Sequence, residues 1–276
     1  MMITISAFAD EIGPELKQQM DVCESHGIKC IDVRSIDKIN CSKMTVAQVK
    51  EYKKQMDDRG FRVPCLGSPI GKIKISDNMA EHLELLKHCC DVAKAFGTSW
   101  IRMFSFYPSA GAKIADQRDE AIDRMRQMVA VAEQQDVVLY HENEADIYGA
   151  TTAGVKDIFA SVRSDRLKGV FDPGNFVTEK IKAFDEAWAV GLADLTHYFH
   201  AKDKCYGAKT CVPVGEGDGQ FSQIFADMKK RNWSGYMTLE PHLSVAGQFA
   251  GFTGPQLFNK AVEGLKKALT AAGLEF

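Results

Sequence analysis

Short apolar runs alternate along the whole chain with longer segments in which apolar residues recur at helical spacing. The short runs are rich in β-branched and aromatic residues and resemble strands that are buried on both faces of a parallel sheet. We therefore predict strands at residues 3–9, 29–35, 61–67, 99–105, 137–143, 167–173, 196–202 and 235–241.

The segments between these runs have the pattern of amphipathic helices. In the first of them, Leu16, Met20 and Cys23 fall on one helical face, and Gly27 provides a C-terminal stop. The same reasoning predicts helices at residues 14–27, 45–60, 79–97, 119–135, 152–163, 183–191, 221–232 and 255–273.

A regular series of strand–helix units predicts an α/β fold, specifically a (β/α)8 TIM barrel with an outer ring of helices. A doubly wound open sheet is the competing architecture, but it gives no reason to stop at this number of units. No linker rich in Pro, Gly or Ser interrupts the pattern, so we expect one domain over residues 1–276. A long polar insertion at residues 203–219 follows the seventh strand, at the end of the barrel where active-site loops lie.

Composition narrows the class of protein. The formal net charge of -3 gives no basic surface for nucleic acid, so no nucleic-acid partner is expected. A membrane-spanning helix needs a run of about 18 apolar residues, and no apolar stretch in the sequence approaches this length. Because the eight cysteines show no CxxC spacing and the N-terminus lacks the features of a secretion signal, we expect free thiols and a cytoplasmic protein.

The last four predicted strands end in residues that are costly to bury. In a parallel barrel, the C-terminal ends of all strands lie at one face, so these side chains are expected to converge there. Three carboxylates that repel one another gather most readily around a cation, and oxygen ligands with one imidazole suit a catalytic divalent metal with open positions. The alternative is that each residue only caps a helix or pairs with a lysine. The four residues are Glu142, Asp172, His200 and Glu240.

The chain resembles the sugar phosphate isomerase/epimerase superfamily of xylose-isomerase-like TIM barrels over essentially its whole length. The resemblance is carried by HENEADIYGAT after strand five, FDPGN after strand six, HAKD and PVGEGDG after strand seven, and LEP at strand eight. It implies that Glu142, Asp172, His200 and Glu240 bind one divalent ion, which is Mn²⁺, Mg²⁺, Co²⁺ or Zn²⁺. It also implies a homodimer or homotetramer and a small sugar or polyol as substrate.

A metal that chelates a carbonyl and the neighbouring hydroxyl acidifies the carbon-bound proton between them and stabilises the enediolate that forms. Glu142 and Glu240 flank the predicted metal, and we interpret them as the pair that removes and returns this proton. The resemblance to the epimerase branch implies that each serves as both metal ligand and proton carrier.

Further residues are candidates for substrate binding. Arg102 ends strand four and either holds substrate or orients Glu142, with a plain ion pair as the alternative. Lys202 either faces the substrate or pairs with Asp203. Glu216 resembles a loop glutamate of the family, and its alternative is a solvated loop residue. The remaining candidates are Lys72 and His242, which are placed to close over a polar ligand, and Asn175, which stands near the substrate where many family members have His.

The leading hypothesis is therefore a divalent-metal sugar isomerase or epimerase that acts on a ketose, keto-sugar or polyol. The alternative is a dehydratase or lyase of a keto-polyol or keto-glycoside that uses the same enolate. A non-catalytic sugar-binding barrel is disfavoured, because binding alone does not need two candidate proton carriers. The GEGDG sequence offers backbone N–H groups to an anion, but its own Glu216 and Asp218 oppose one, which favours an unphosphorylated substrate.

Overall fold

The computed structural model describes residues 2–244 and 253–276 and has the architecture of a (β/α)8 barrel. Its strands in chain order are β1 (Ile3–Ala7), β2 (Cys30–Ile31), β3 (Ser35–Ile36), β4 (Ile39–Asn40), β5 (Trp100–Met103), β6 (Val138–Glu142), β7 (Leu167–Phe171), β8 (Thr196–Ala201), β9 (Asp203–Lys204), β10 (Cys211–Val212) and β11 (Gly235–Leu239).

The α-helices alternate with the barrel strands. They are α1 (Leu16–Ser25), α2 (Val46–Asp58), α3 (Met79–Phe96), α4 (Arg118–Gln134), α5 (Thr152–Val162), α6 (Pro173–Thr178), α7 (Phe221–Lys230) and α8 (Pro255–Ala272). A π-helix at Ala183–Trp188 stands where a helix was predicted at 183–191. Among the described residues, no helix has the length and apolar composition needed to cross a membrane.

The main sheet is parallel and has the order β2-β1-β11-β8-β7-β6-β5. The predicted strand at 61–67 lies between its two outer strands and closes the barrel, although it makes only isolated bridges, from Arg62 to Cys30 and from Leu66 to both Val33 and Ile101. Pro64 has no N–H to donate, which interrupts a regular ladder in this segment. The predicted TIM barrel is therefore confirmed, and one of its strand positions, at residues 61–67, is irregular.

Alternate residues along each strand point into the barrel. The N-terminal end of the interior is filled by aromatic side chains: the ring centroids of Trp100 and Tyr140 are 5.0 Å apart, and those of Tyr198 and Tyr236 are 5.8 Å apart. Two residues further along these strands, toward the C-terminal ends, the inward positions become polar. They are Arg102, Glu142, His200 and Thr238.

Candidate active site

The strand alternation brings four potential metal ligands together at the C-terminal end of the barrel. Glu142 is the last residue of β6, Asp172 follows β7, His200 lies near the end of β8, and Glu240 follows β11. One ligand atom of each lies within 4.8 Å of one atom of every other, and all four side chains are buried. This group could hold one metal ion.

The DPGN sequence fixes the position of Asp172. Its Oδ1 accepts a hydrogen bond from the backbone N–H of Asn175 at 2.9 Å, so Asp172 is the N-cap of α6, and Pro173 occupies the first helical turn. The side chain of Asn143 also donates to the backbone oxygen of Asp172 and accepts from its N–H, both at 2.9 Å. The cap thus uses one carboxylate oxygen and leaves Oδ2 directed toward the cluster.

Each candidate proton carrier has one oxygen held by an arginine and the other directed toward His200. Arg102 lies 3.2 Å from Oε2 of Glu142, whose Oε1 is 3.1 Å from Nδ1 of His200. Arg34 lies 3.0 Å from Oε1 of Glu240, whose Oε2 is 3.6 Å from the same imidazole nitrogen. The two glutamates therefore have matching partners, an arginine at one oxygen and Nδ1 of His200 near the other.

The ring of Phe8 connects these two arrangements. The guanidinium carbons of Arg34 and Arg102 lie 4.9 and 4.8 Å from its centroid, within the range of cation–π contacts. His200 meets the same ring edge-on at 5.2 Å. Gly67 leaves room for this ring, because a Cβ at that position would lie 2.6 Å from Phe8.

Two buried atoms of the cluster lack a hydrogen-bond partner among the described residues: Nδ1 of His200 and Oδ2 of Asp172. His200 Nδ1 is close to Glu142, and Asp172 Oδ2 is 2.7 Å from Nζ of Lys202, but neither contact has hydrogen-bond geometry. Buried polar atoms are rarely left unpaired in native proteins. A divalent ion would take both as ligands, so the donor set fits a metal.

The electrostatics of the carboxylates point the same way. Burial raises the pKa of Asp172 to about 8, because Lys202 offsets only part of the burial and the two glutamates add repulsion. Burial also opposes ionisation of Glu142 and Glu240, but nearby cationic groups outweigh it and hold both pKa values below the usual range. Burial lowers the pKa of His200, but the neighbouring glutamates raise it above its ordinary value overall. The cluster thus attracts positive charge.

The ion pairs around the cluster join five carboxylates to three permanent cations. With all five carboxylates ionised and the histidines neutral, as binding to a metal would require, the group carries two negative charges in a buried region, where unpaired charge is costly. One divalent cation would neutralise them. The carboxylates belong to Asp10, Glu11, Glu142, Asp172 and Glu240, and the cations belong to Arg34, Arg102 and Lys202.

A cavity of about 550 Å³ opens from this cluster to the surface. Most of the predicted substrate-binding residues line it, and Glu240 contributes its carboxylate. Glu142 is not among the described lining residues, but it accepts hydrogen bonds from two of them, Arg102 and Asn175. The lining residues among the predicted set are Arg102, Lys72, Asn175, Lys202 and His242.

Each of these side chains has specific partners. Nζ of Lys202 lies 3.2 Å from Oε2 of Glu240 as well as beside Asp172, so it does not pair with Asp203. Lys72 pairs with Glu144 at 2.8 Å at the mouth of the cavity.

Asn175 donates from its side chain to Glu142 at 3.2 Å. Nε2 of His242 lies 2.8 Å from Glu11 and 3.3 Å from Glu240. The substrate-binding roles of these residues stay predictions.

Glu216 is exposed and is not among the described residues that line the cavity, and its substrate-binding role also stays a prediction. The surrounding GEGDG loop folds onto Asp203 instead. The carboxylate of Asp203 accepts hydrogen bonds from the backbone N–H groups of Gly215, Gly217 and Gly219 at 2.8 to 3.0 Å. These N–H groups are therefore not free to bind an external anion.

The sequence reasoning missed Phe8, Asp10, Glu11 and Arg34. It compared only the last four strands, whereas Arg34 follows β2 much as Arg102 ends β5. A basic residue at the end of a buried strand was the available signal. The roles of Asp10 and Glu11 had no such signal, because they lie in a short 3-10 helix after β1 and meet Arg34 only in the folded chain.

A family model described as xylose isomerase-like TIM barrel matches residues 20–274, so the chain belongs to that family. No curated protein matches the sequence significantly.

Solved structures share the fold at low identity. A D-tagatose 3-epimerase-like protein superposes with a TM-score of 0.76 at 14% identity, covering 99% of this chain and 98% of that one. D-allulose 3-epimerase from Methylomonas sp., solved with D-allulose, gives 0.73 at 17% identity and 97% coverage of both chains. The probable 3-DHS dehydratase AsbF from Bacillus anthracis gives 0.73 at 13% identity, covering 96% of this chain and 99% of that one. These structures establish the likeness of fold.

Proposed function

We propose that this member of the xylose isomerase-like TIM barrel family is a divalent-metal-dependent isomerase or epimerase of a ketose, keto-sugar or polyol. The observation that carries the proposal is the buried cluster of Glu142, Asp172, His200 and Glu240 at the base of the cavity. Two of its ligand atoms lack a hydrogen-bond partner and its carboxylates are crowded together, which suits a cation such as Mn²⁺, Mg²⁺, Co²⁺ or Zn²⁺. The neighbouring folds solved as sugar epimerases agree with this chemistry.

When bound, the ion polarises the substrate carbonyl and makes the adjacent carbon-bound proton more acidic. In this proposal Glu240 removes that proton, which is supported by its position in the cavity lining and by Arg34, which holds one of its oxygens. Glu142 returns a proton from the opposite side in an epimerase, with Arg102 in the matching position. Lys202 reaches the cavity beside Glu240 and is placed to hold a substrate oxygen.

A dehydratase or lyase is the second candidate, and one observation favours it. Of the two glutamates, only Glu240 is among the described residues that line the cavity, whereas Glu142 is in contact with the lining residues Arg102 and Asn175. An elimination needs one base to form the enolate and one acid to help the leaving hydroxyl depart, so one accessible carboxylate suffices. An epimerase needs a proton carrier on each face of the substrate.

The test is proton exchange followed by NMR, with metal-loaded protein in D₂O and a panel of ketoses and keto-polyols. Glu142→Gln and Glu240→Gln are compared with wild type, and Glu263→Gln, which changes an exposed residue of α8, is the matched control. We expect deuterium beside the carbonyl with wild type and with the control, and a rate at least about 100-fold lower with Glu240→Gln.

The Glu142 variant separates the two candidates. If Glu142→Gln exchanges the proton but no longer forms the epimer, the two-base epimerase is supported. If it retains both exchange and release of a dehydrated product, the lyase is supported. If wild type binds metal and sugar yet exchanges no proton with any substrate, the enolisation proposal is wrong and a sugar-binding barrel replaces it.

A further inference from the structure

The lining of the cavity is more basic than the protein as a whole. The formal net charge of the chain is -3, yet the described cavity-lining residues include six lysines and arginines against two glutamates. An excess of one sign in a concave site concentrates ligands of the opposite charge. The question is which of these cations remain available to a ligand.

Four of the six are already paired with carboxylates. Arg34 and Lys202 both contact Glu240, and each has a further acidic partner. Arg102 pairs with Glu142, and Lys72 with Glu144.

Lys204 and Lys209 differ from the others. Nζ of Lys204 donates to the hydroxyl of Thr178 at 3.2 Å, and neither lysine forms an ion pair within the described ranges 2–244 and 253–276. Residues 245–252 contain no Asp or Glu, so that segment supplies no carboxylate either. Both lysines therefore lack an acidic partner from any part of this chain between residues 2 and 276.

A two-stranded hairpin carries both lysines. Lys204 is the last residue of β9, opposite Cys211 of β10, and Lys209 belongs to the connection between the two strands. The base of this hairpin is held by Asp203, which collects the loop N–H groups. Positive charge for an anion therefore comes from side chains of the hairpin and not from the backbone of the GEGDG loop.

We infer that the substrate carries an anionic group, a phosphate or a carboxylate, which Lys204 and Lys209 bind at the outer end of the cavity. This inference rests on the proposed function, because it assigns the other end of the substrate to the metal cluster. It differs from the sequence-based preference for an uncharged, unphosphorylated substrate, which considered only the backbone and acids of the GEGDG loop. Charge-assisted contacts to two lysines would increase the affinity for the substrate and fix its position along the cavity.

Binding to the metal-loaded protein is measured by calorimetry for matched ketoses. D-Ribulose 5-phosphate is compared with D-ribulose, and 5-keto-D-gluconate with L-sorbose, so that the two arms distinguish phosphate from carboxylate. The test variant is Lys204→Gln/Lys209→Gln. The control is Lys17→Gln/Lys54→Gln, which removes the same charge from exposed lysines on α1 and α2.

We expect wild type and the control to bind at least one anionic ketose about 10-fold or more tightly than its neutral partner. The test variant is expected to bind the two within about 2-fold, with its affinity for the neutral ketose unchanged. The preference of wild type for the anionic ketose is also expected to shrink when the salt concentration is raised from about 0.15 to about 0.5 M. The Debye length is about 8 Å at the lower concentration and shorter at the higher one, so charge–charge attraction is screened more strongly.

The inference is overturned if wild type binds neither anionic ketose, binds charged and neutral partners equally, or keeps its preference in the test variant. Deuterium exchange into the bound ketoses is recorded in the same samples. A preference for the anionic ketose without deuterium exchange would contradict the proposed enolisation but not the anion site. The two failures are therefore distinguishable.

Discussion

At the scale of single residues, Phe8 is the common support of the two candidate proton carriers. Its ring contacts Arg34 and Arg102, and each arginine holds one oxygen of a glutamate. Phe8 has no polar side-chain atom that could bind the metal or carry a proton. We therefore interpret it as a positioning residue that acts through the two arginines. A cation–π contact that is shielded from water contributes up to about 2 kcal/mol.

We predict that Phe8→Leu lowers the rate of proton exchange by about 10-fold or more, because both arginines lose the ring that fixes them. Metal affinity, measured by calorimetry with Mn²⁺, is expected to change by less than about 3-fold, since all four ligands remain. The control is Phe225→Leu, which removes a buried ring that packs against Phe199 and Phe221. If both variants lose activity in proportion to their loss of stability, Phe8 has only a packing role.

His82 permits a prediction about pH. Its Nε2 accepts a hydrogen bond from the backbone N–H of Gly71 at 2.8 Å, and burial with the nearby charge of Arg124 lowers its pKa to about 4. The unfolded chain, with a histidine pKa near 6.5, binds the proton more readily than the folded protein does. The contribution of neutral His82 to the free energy of unfolding is therefore fully present above about pH 6.5. It is lost as the pH falls toward 4, by up to about 1.4 kcal/mol per pH unit.

Urea unfolding between pH 7 and 4.5 measures this effect. The stability difference between wild type and His82→Gln is expected to shrink by about 2 kcal/mol over this range, because glutamine keeps an acceptor for Gly71 but does not titrate. His197→Gln, at an exposed position of β8, is the control and should run parallel to wild type. A constant difference between wild type and His82→Gln would contradict the prediction.

At the scale of elements, the long connection after β8 shows why glycine alternates in GEGDG. A Cβ at Gly217 would lie 2.4 Å from Oδ1 of Asp203, and a Cβ at Gly219 would lie 2.7 Å from it. The glycines allow the backbone to wrap around this carboxylate. The sequence indicated a loop here, but it did not reveal the carboxylate that organises it, because Asp203 lies 12 or more residues away from Gly215 and its successors.

Asp203→Asn is predicted to loosen this connection without unfolding the barrel. The amide has one acceptor oxygen in place of two, and its NH₂ group would face backbone donors. We expect hydrogen exchange at Gly215, Gly217 and Gly219 to increase about 10- to 100-fold by NMR.

The matched control for this variant is Asp218→Asn in the same connection. Asp218 accepts one hydrogen bond from the backbone N–H of Tyr206, in place of the several that Asp203 accepts. It is expected to change exchange at Tyr206 alone. Equal effects of the two variants on the three glycines would show that the connection is not organised around Asp203.

At the scale of the whole molecule, the periodicity of the chain was sufficient to predict the barrel. Every strand–helix unit of a barrel buries the same faces, so each unit shows the same pattern of apolar residues. For this reason the segment at 61–67 was also identified, despite Pro64. The convergence of Glu142 and Glu240 followed from strand direction alone. The expected single domain, cytoplasmic location and homodimer or homotetramer stay predictions.

Accessibility and pairing could not be predicted in the same way. Whether Glu142 or Glu240 faces the cavity depends on which side chains stand in front, and Asn175 and Arg102 reach Glu142 from other strands and helices. The pairing of Lys202 with Asp172 likewise depends on the cap of α6, a short helix that the periodicity did not predict. Such contacts are set by tertiary packing between distant segments.

The metal cluster should also stabilise the barrel as a whole. Its ligands come from β6 and β8 and from the residues that follow β7 and β11, so an ion bound to all four connects four neighbouring strands and binds only the folded chain. At a free metal concentration 100 times the dissociation constant, such binding adds about 2.7 kcal/mol. For a chain of this size that corresponds to a rise in Tm of about 5 °C.

The sharpest variant for this prediction is Asp172→Asn, because asparagine preserves the N-cap of α6 while removing the charge beside the cluster. Calorimetric scans with Mn²⁺, and again after chelation with EDTA, are expected to show a metal-dependent Tm for wild type and little dependence for the variant. Without metal, the variant should be nearly as stable as wild type, because burial already disfavours the ionised form of Asp172. If the metal-dependent rise in Tm survives Asp172→Asn unchanged, the ion binds elsewhere and the cluster is balanced by Lys202 and the arginines alone.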